Sequence, residues 1–258
     1  PPPAGADASP DALEVVYFPA CPSRVMGPAR SDPVQRSAPE AVVSLLAKAG
    51  AHVQYPDETK CSMGAMCCGL SFDSRGCQDA NDAAQAQTIE ALRAASDGGR
   101  RPIVCDTPPC ASHLIKAAQS AAPELQIFEP VGFVERYLVD KLEWERTADS
   151  VAVHVPCSSK KLGLGPSFHR LAGKCAHDVV DSGVPCCGMA GDRGLRIPAL
   201  TAAALQHLPA HIDKRACGDE CYSTSRTCEI SLSNHGDAHF RSFVHLLDRS
   251  TKAKSSSS

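Results

Sequence analysis

The tripeptide Cys-Cys-Gly occurs twice in this chain, at Cys67-Cys68-Gly69 and at Cys186-Cys187-Gly188. Each copy has an arginine and a glycine a few residues on, Arg75-Gly76 and Arg193-Gly194, and each is bracketed by an upstream and a downstream cysteine. Adjacent thiols serve a chain little unless something binds them, and their recurrence predicts two half-repeats. Fourteen cysteines among 258 residues press the same point. Disulfide scaffolds are usually short, loop-rich and secreted. Here long helical and strand patterns separate the cysteines, so thiolate ligation in a reducing compartment accounts for the count better than disulfides do.

The half-repeats align by hand. A β-branched and aromatic run over Leu13–Phe18 is stopped by Pro19 and reaches Cys21; Val151–Val155 is stopped by Pro156 and reaches Cys157. Three residues beyond each of these cysteines stands a cation, Arg24 or Lys160. Thr107-Pro108-Pro109-Cys110 in turn matches Ser225-Arg226-Thr227-Cys228. Between these points the pattern alternates. Ser37 to Gly50 reads as a helix with a serine cap, Pro39 and Glu40 in its first turn and a closing glycine. Asn81–Ser96, Ala111–Ala121 and Gly132–Leu142 read as helices, and stretches near His52–Tyr55, Pro102–Asp106 and Gln126–Phe128 as strands. The second half repeats the plan, with helices at Pro166–Cys175, Pro198–Leu208 and Glu229–His235 and a strand at Asp178–Asp181. Such alternation predicts an α/β fold of two pseudo-symmetric half-repeats with mostly parallel sheets. The cysteine motifs then fall at the carboxyl ends of the strands, where open α/β folds build their sites. The expected organisation is a flexible lead-in over 1–12, a first half over 13–143, a polar seam at Trp144–Ser150, a second half over 151–249 and a disordered tail over 250–258. Opening on Pro1-Pro2-Pro3 in place of Met, the chain reads as a piece of something longer.

Composition excludes several classes of function. With 26 basic and 29 acidic side chains there is no basic surplus for nucleic acid or a membrane surface. No apolar run is long enough to span a bilayer as a helix, and no Gly-rich dinucleotide fingerprint is present, so neither flavin nor nicotinamide is expected on this chain itself.

What remains is sulfur chemistry. Each half offers four thiols at matching points: Cys21, Cys67, Cys68 and Cys110, then Cys157, Cys186, Cys187 and Cys228. Four thiolates suit an iron–sulfur cluster, and they equally describe a structural zinc site. Zinc ribbons use paired Cys-x-x-Cys hairpins that this chain lacks, and adjacent cysteines crowd a single small ion but can serve different irons of one cluster. Gly69 and Gly188 bring no Cβ into the crowded turn. Arg24, Arg75, Lys160, Arg193 and Arg226 are either cations that favour thiolates or solvated surface charges. Cys105 and Cys175 read as buried thiols and His154 as a core histidine, while Cys61, Cys77, Cys217 and Cys221 have no counterpart in the opposite half.

These motifs resemble the duplicated cysteine-rich "CCG" domain, with its pattern Cys…Cys-Cys-Gly…Cys-x-x-Cys. Such domains occur in the B subunit of heterodisulfide reductase and in the iron–sulfur subunits of glycolate oxidase and anaerobic glycerol-3-phosphate dehydrogenase. Val16–Cys21, Val155–Gly163, Cys186–Gly194 and Tyr222–Ile230 are most similar to the C-terminal part of FAD-linked D-lactate dehydrogenases. The resemblance implies an iron–sulfur electron-transfer module. A FAD-binding domain or subunit outside this chain would oxidise a 2-hydroxy acid, and the module would pass electrons to a quinone or cytochrome acceptor. It implies a 4Fe-4S centre on the eight cysteines above, with zinc as the alternative at one site, because Thr107 and Ser225 replace the first cysteine of Cys-x-x-Cys and leave four thiols where a non-cubane centre has five. The implied setting is cytoplasmic or mitochondrial, including the inner face of a membrane. Two other readings stay open: a thiol–disulfide redox catalyst like heterodisulfide reductase, and a zinc-stabilised docking domain.

Overall fold

A computed structural model describes residues 12–56, 63–212 and 217–254; most of the expected lead-in, the end of the tail and Cys61 lie outside them. Strands β1 (Glu14–Phe18), β2 (His52–Gln54), β3 (Ile103–Cys105) and β4 (Ile127–Phe128) form one sheet, all parallel, in the order β2-β1-β3-β4. After β5 (Leu142–Trp144), strands β6 (Ala148–Val153), β7 (Ala176–Asp181), β8 (Cys221–Ser223) and β9 (Phe240–Ser242) form a second parallel sheet in the order β7-β6-β8-β9. The order is the same in both, each sheet pairing its first strand with its second and third. A short antiparallel pair joins β5 to β10 (Thr251–Ala253).

The expected α/β fold of two similar halves is what the chain adopts. Register makes the likeness quantitative: Val16 pairs with Ile103 in the first sheet and Ala152 with Cys221 in the second. Counted from those pairs, Cys21 and Cys157 fall at the same step, and so do Cys110 and Cys228.

Both faces of each sheet are covered, as parallel strands require. On one face Val15, Tyr17, Val104, Val151, Val153 and Tyr222 point into a single shared core with the helices Ala38–Lys48, Gly165–Cys175 and Phe243–Arg249. On the outer faces, Val16, Phe18 and Ile103 pack under helices Gln78–Ala95 and Pro108–Ala121, and Ala152 and Phe240 under the helices of residues 198–236. The central helices therefore glue the halves together, Phe168 stacking on Phe243 at 5.1 Å between centroids. The helix Ala38–Lys48 starts as its sequence predicts, with a complete capping box between Ser37 and Glu40, a device worth about 1 kcal/mol.

Several boundaries differ from the sequence reading. Pro108 and Pro109 do not extend a loop but open the helix Pro108–Ala121, because proline suits the first helical turn, where its missing N–H costs nothing. The polar seam is not a plain connection: Leu142–Trp144 and Ala148–Val153 are strands. Lys252 and Ala253, expected in a disordered tail, belong to β10, which pairs back onto β5. The helix expected over Gly132–Leu142 is a four-residue turn, Pro130–Phe133, followed by a π-helical turn, Val134–Leu138.

Candidate metal centre

The carboxyl ends of β1, β3, β6 and β8 each deliver one sulfur-bearing turn. Cys21 and Cys157 are the first residues of short helices, Cys21–Val25 and Cys157–Lys161, directly after β1 and β6. Cys110 and Cys228 sit in the first turn of the helices Pro108–Ala121 and Arg226–Gly236, after β3 and β8.

Between them lies the Cys-Cys-Gly turn. Gly69 and Gly188 hold φ of +88° and +73°, a conformation that L side chains rarely adopt. The turn aims the glycine N–H back at the first sulfur: Gly69 N donates to Cys67 Sγ at 3.4 Å, and Gly188 N to Cys186 Sγ at 3.4 Å. A side-chain hydroxyl also holds one cysteine carbonyl in each half, that of the first cysteine in one pair and of the second in the other. Thr88 Oγ1 donates to the Cys67 carbonyl at 2.8 Å, and Ser231 Oγ to the Cys187 carbonyl at 2.6 Å.

Within each quartet the thiols are neighbours, though not yet at the spacing of metal ligands. In the first half Cys21 hydrogen-bonds Cys67, Cys67 contacts Cys68, and Cys68 contacts Cys110. Hydrogen bonding from Cys21 and Cys68, with the Gly69 N–H added, drives the Cys67 thiol far down. Hydrogen bonding to Cys67 and burial drive Cys21 up, and bonding to Cys110 and Cys67 does the same to Cys68. In the second half the sulfurs of Cys187 and Cys228 stand 2.9 Å apart. Their shared bond lowers Cys187 and raises Cys228, and burial with the charges of Cys186 and Cys187 raises Cys157. Cys68, Cys110, Cys187 and Cys228 are buried, whereas Cys21, Cys157 and Cys186 are exposed. Among the described residues all thirteen cysteines are free thiols, and no three His, Cys, Asp or Glu side chains are already gathered closely enough to hold a metal ion.

Other sequence expectations fare unevenly. Arg24 faces the first quartet: its charge lowers Cys21, and its Nη2 donates to the Met66 carbonyl at 2.7 Å. Lys161 rather than Lys160 acts on Cys157. Arg226 is engaged by Glu229 at 3.1 Å and by the Gly27 carbonyl at 2.6 Å. Arg75 pairs with Asp192 at 2.5 Å, an ion pair joining the two Cys-Cys-Gly loops. Both partners are largely exposed, so Arg75→Ala is expected to leave the thermal midpoint unchanged; a clear drop in a thermal melt would show the loops to be more tightly coupled. Cys105, Cys175 and His154 are buried as expected; His154 bonds Ser223 at 3.0 Å and burial holds it down to about 4. Cys77 is exposed before the helix Gln78–Ala95, and Cys217 meets Ser150 at 3.3 Å in the outer core of the second half.

Sequence reasoning missed Asp106. Its carboxylate, at the end of β3, accepts from Tyr17 Oη at 2.6 Å and Ala20 N at 2.9 Å, which fixes the strand end that presents Cys21. An acidic residue next to an apolar strand was the available signal.

The described residues contain no helix long and apolar enough to cross a membrane. No curated protein matches the chain. Among solved structures, glutamate racemase from Aquifex pyrophilus is similar over 92% of this chain and 82% of its own, at 12% identity and a TM-score of 0.36, a likeness too slight to bear on fold or function. The family model described as cysteine-rich domain, CCG, matches residues 15–115, which span Cys21, Cys67-Cys68-Gly69 and Cys110. A domain of that kind suggests a redox or metal-binding module, in agreement with four thiols meeting at one sheet edge. Over residues 15–115 the chain is similar to the CCG cysteine-rich domain.

Proposed function

We propose that the chain is the iron–sulfur electron-transfer module of a FAD-linked 2-hydroxy-acid dehydrogenase of the D-lactate type. Cys21, Cys67, Cys68 and Cys110 would hold one centre and Cys157, Cys186, Cys187 and Cys228 the other. The supporting observation is the repetition itself: two quartets whose first and last cysteines stand at equivalent register positions, each with the same glycine N–H on the first sulfur of its Cys-Cys pair. A cluster bound there supplies storage of one electron at a time. The chain's part is to set its potential, since hydrogen bonds to sulfur, nearby charge and burial are the available levers. The Gly69 and Gly188 N–H groups and Arg24 act in the direction of stabilising negative charge on sulfur. FAD would belong to a partner domain or subunit, and a quinone or cytochrome would accept the electrons.

Iron, acid-labile sulfide and zinc determined on anaerobically purified chain, with low-temperature EPR, test this reading. Expected are a brown protein with iron and sulfide in comparable amounts and a cluster signal in one oxidation state. A colourless protein holding zinc alone would overturn it and favour a zinc-stabilised docking domain. A second reading has one observation behind it. Cys21 is exposed and borders an open cleft of about 710 Å³ with Arg24, Pro39 and Met63, an arrangement that lets a substrate disulfide reach the sulfur. Turnover of a small disulfide by the metal-loaded chain would favour that thiol–disulfide catalyst.

A further inference from the structure

In each half the helix that carries the last cysteine of the quartet also carries a histidine, one turn beyond Cys110 and two turns beyond Cys228, on the same helical face. His113 Nε2 lies 2.9 Å from Asn81 Oδ1, and His235 Nε2 lies 3.0 Å from Thr201 Oγ1. Their protonation follows from their partners. Asn81 uses its amide Nδ2 to donate to Asp82 at 3.0 Å, so its Oδ1 is an acceptor. Thr201 gives its single hydroxyl proton to the Pro198 carbonyl at 2.9 Å. Both histidines must therefore donate through Nε2–H.

Asn81 and Thr201 also lie against the two Cys-Cys-Gly glycines. A Cβ on Gly69 would come within 2.4 Å of Asn81 Oδ1, and one on Gly188 within 2.8 Å of Thr201 Cα. Asn81 and Thr201 are 4% and 5% exposed, so neither has room to swing away. His113 is also near enough to Cys67 to feel its charge. In each half a histidine thus holds a polar residue that packs on the Cys-Cys-Gly glycine, through its side-chain oxygen at Asn81 and through its backbone at Thr201.

We propose that His113 and His235 are positioning residues, each latching the Cys-Cys-Gly turn through Nε2–H so that the glycine N–H stays on the sulfur of Cys67 or Cys186. The inference rests on reading the quartets as metal centres only in its consequence, that losing the latch alters the electronic character of the bound metal. The latch itself is a property of the metal-free chain.

The test uses the full chain with His113→Leu, His113→Gln, His235→Leu and His235→Gln. Backbone amide exchange at Gly69 and Gly188 is followed by NMR without metal. Binding of Co2+ is then followed by its thiolate charge-transfer band, with Cys228→Ser or Cys110→Ser added to silence the opposite quartet. His113→Leu is expected to speed exchange at Gly69 on the order of fivefold, the loss of about one hydrogen bond, while Gly188 stays as it was. Co2+ affinity at the first quartet should fall roughly 10- to 100-fold, as for other groups that orient metal ligands, with a shifted band. His113→Gln should restore both, because its amide N–H can occupy the place of Nε2–H. His235 should behave the same way toward Gly188 and the second quartet. Unchanged exchange at the adjacent glycine overturns the proposal. So does a glutamine variant as impaired as the leucine one, or equal loosening at both glycines. If the parent chain takes up no Co2+, the metal reading fails, and the exchange rates still decide the latch in either direction.

Discussion

Gly188→Ala is expected to destabilise the chain by about 2–5 kcal/mol and to abolish metal binding by the second quartet. Two costs combine. An alanine at φ of +73° is strained by about 1–2 kcal/mol. Its Cβ would also stand 2.8 Å from both the Leu200 carbonyl oxygen and Thr201 Cα, and 2.9 Å from Ala204 Cβ. Those atoms belong to the helix Pro198–Leu205 or its backbone, so relief requires the helix to move, an overpacking cost of about 1–3 kcal/mol. Gly191 provides the internal control. It has φ of +76° but nothing within 4 Å of its would-be Cβ, so Gly191→Ala should cost the strain alone, about 1–2 kcal/mol. Gly69→Ala should resemble Gly188→Ala, with Asn81 as the obstructing residue. Urea unfolding of the three variants reads the difference; equal losses at Gly188 and Gly191 would show that close helix approach is not what the second glycine is for.

Asp32→Ala should cost a similar amount, about 3–5 kcal/mol at neutral pH, because it strands a buried guanidinium. Arg241 on β9 meets the Asp32 carboxylate through Nε at 3.0 and 2.9 Å and through Nη2 at 2.8 Å. The two side chains are 9% and 6% exposed and come from opposite halves. Burial pushes Asp32 up, but the bonds and charge of Arg241 outweigh it and hold the carboxyl below its ordinary value. A depressed carboxylate contributes stability above its unfolded value of about 3.9, and that contribution is lost as pH falls through the lower folded value. The gap between parent and Asp32→Ala should accordingly be full at pH 7 and close below about pH 4. Pairing Asp32→Leu with Arg241→Met should recover much of the loss, since no charge is then left buried alone. A gap that persists unchanged into acid would contradict this assignment.

How much of this was legible in the sequence follows from what each feature depends on. Paired cysteines and a closing glycine are chemical signals, visible at any spacing, and so the eight thiols and the repeat could be aligned by hand. The strands β1 and β6 announce themselves as β-branched runs ended by proline. The turns after them do not: Cys21–Val25 and Cys157–Lys161 are too short to show a helical period. Proline at residues 108 and 109 reads as a loop until the strand before it fixes where the helix must begin. Strands β5 and β10, three residues each, carry no alternation and exist because each pairs with the other. Hidden most completely are the groups that orient the thiols. Thr88, Ser231, Asn81, Thr201 and the two histidines lie on helices whose apolar periods say only that they are helices. Their roles appear once the sheets place those helices beside the Cys-Cys-Gly turns.

Metal stoichiometry in anaerobically reconstituted chain, compared among the parent, Cys110→Ser, Cys228→Ser and the double variant, bears most directly on the claim that the quartets are two separate centres. Two centres in the parent, one in each single variant and none in the double variant is the expected pattern. Metal content that ignores both substitutions, or a parent chain that binds none, would contradict it.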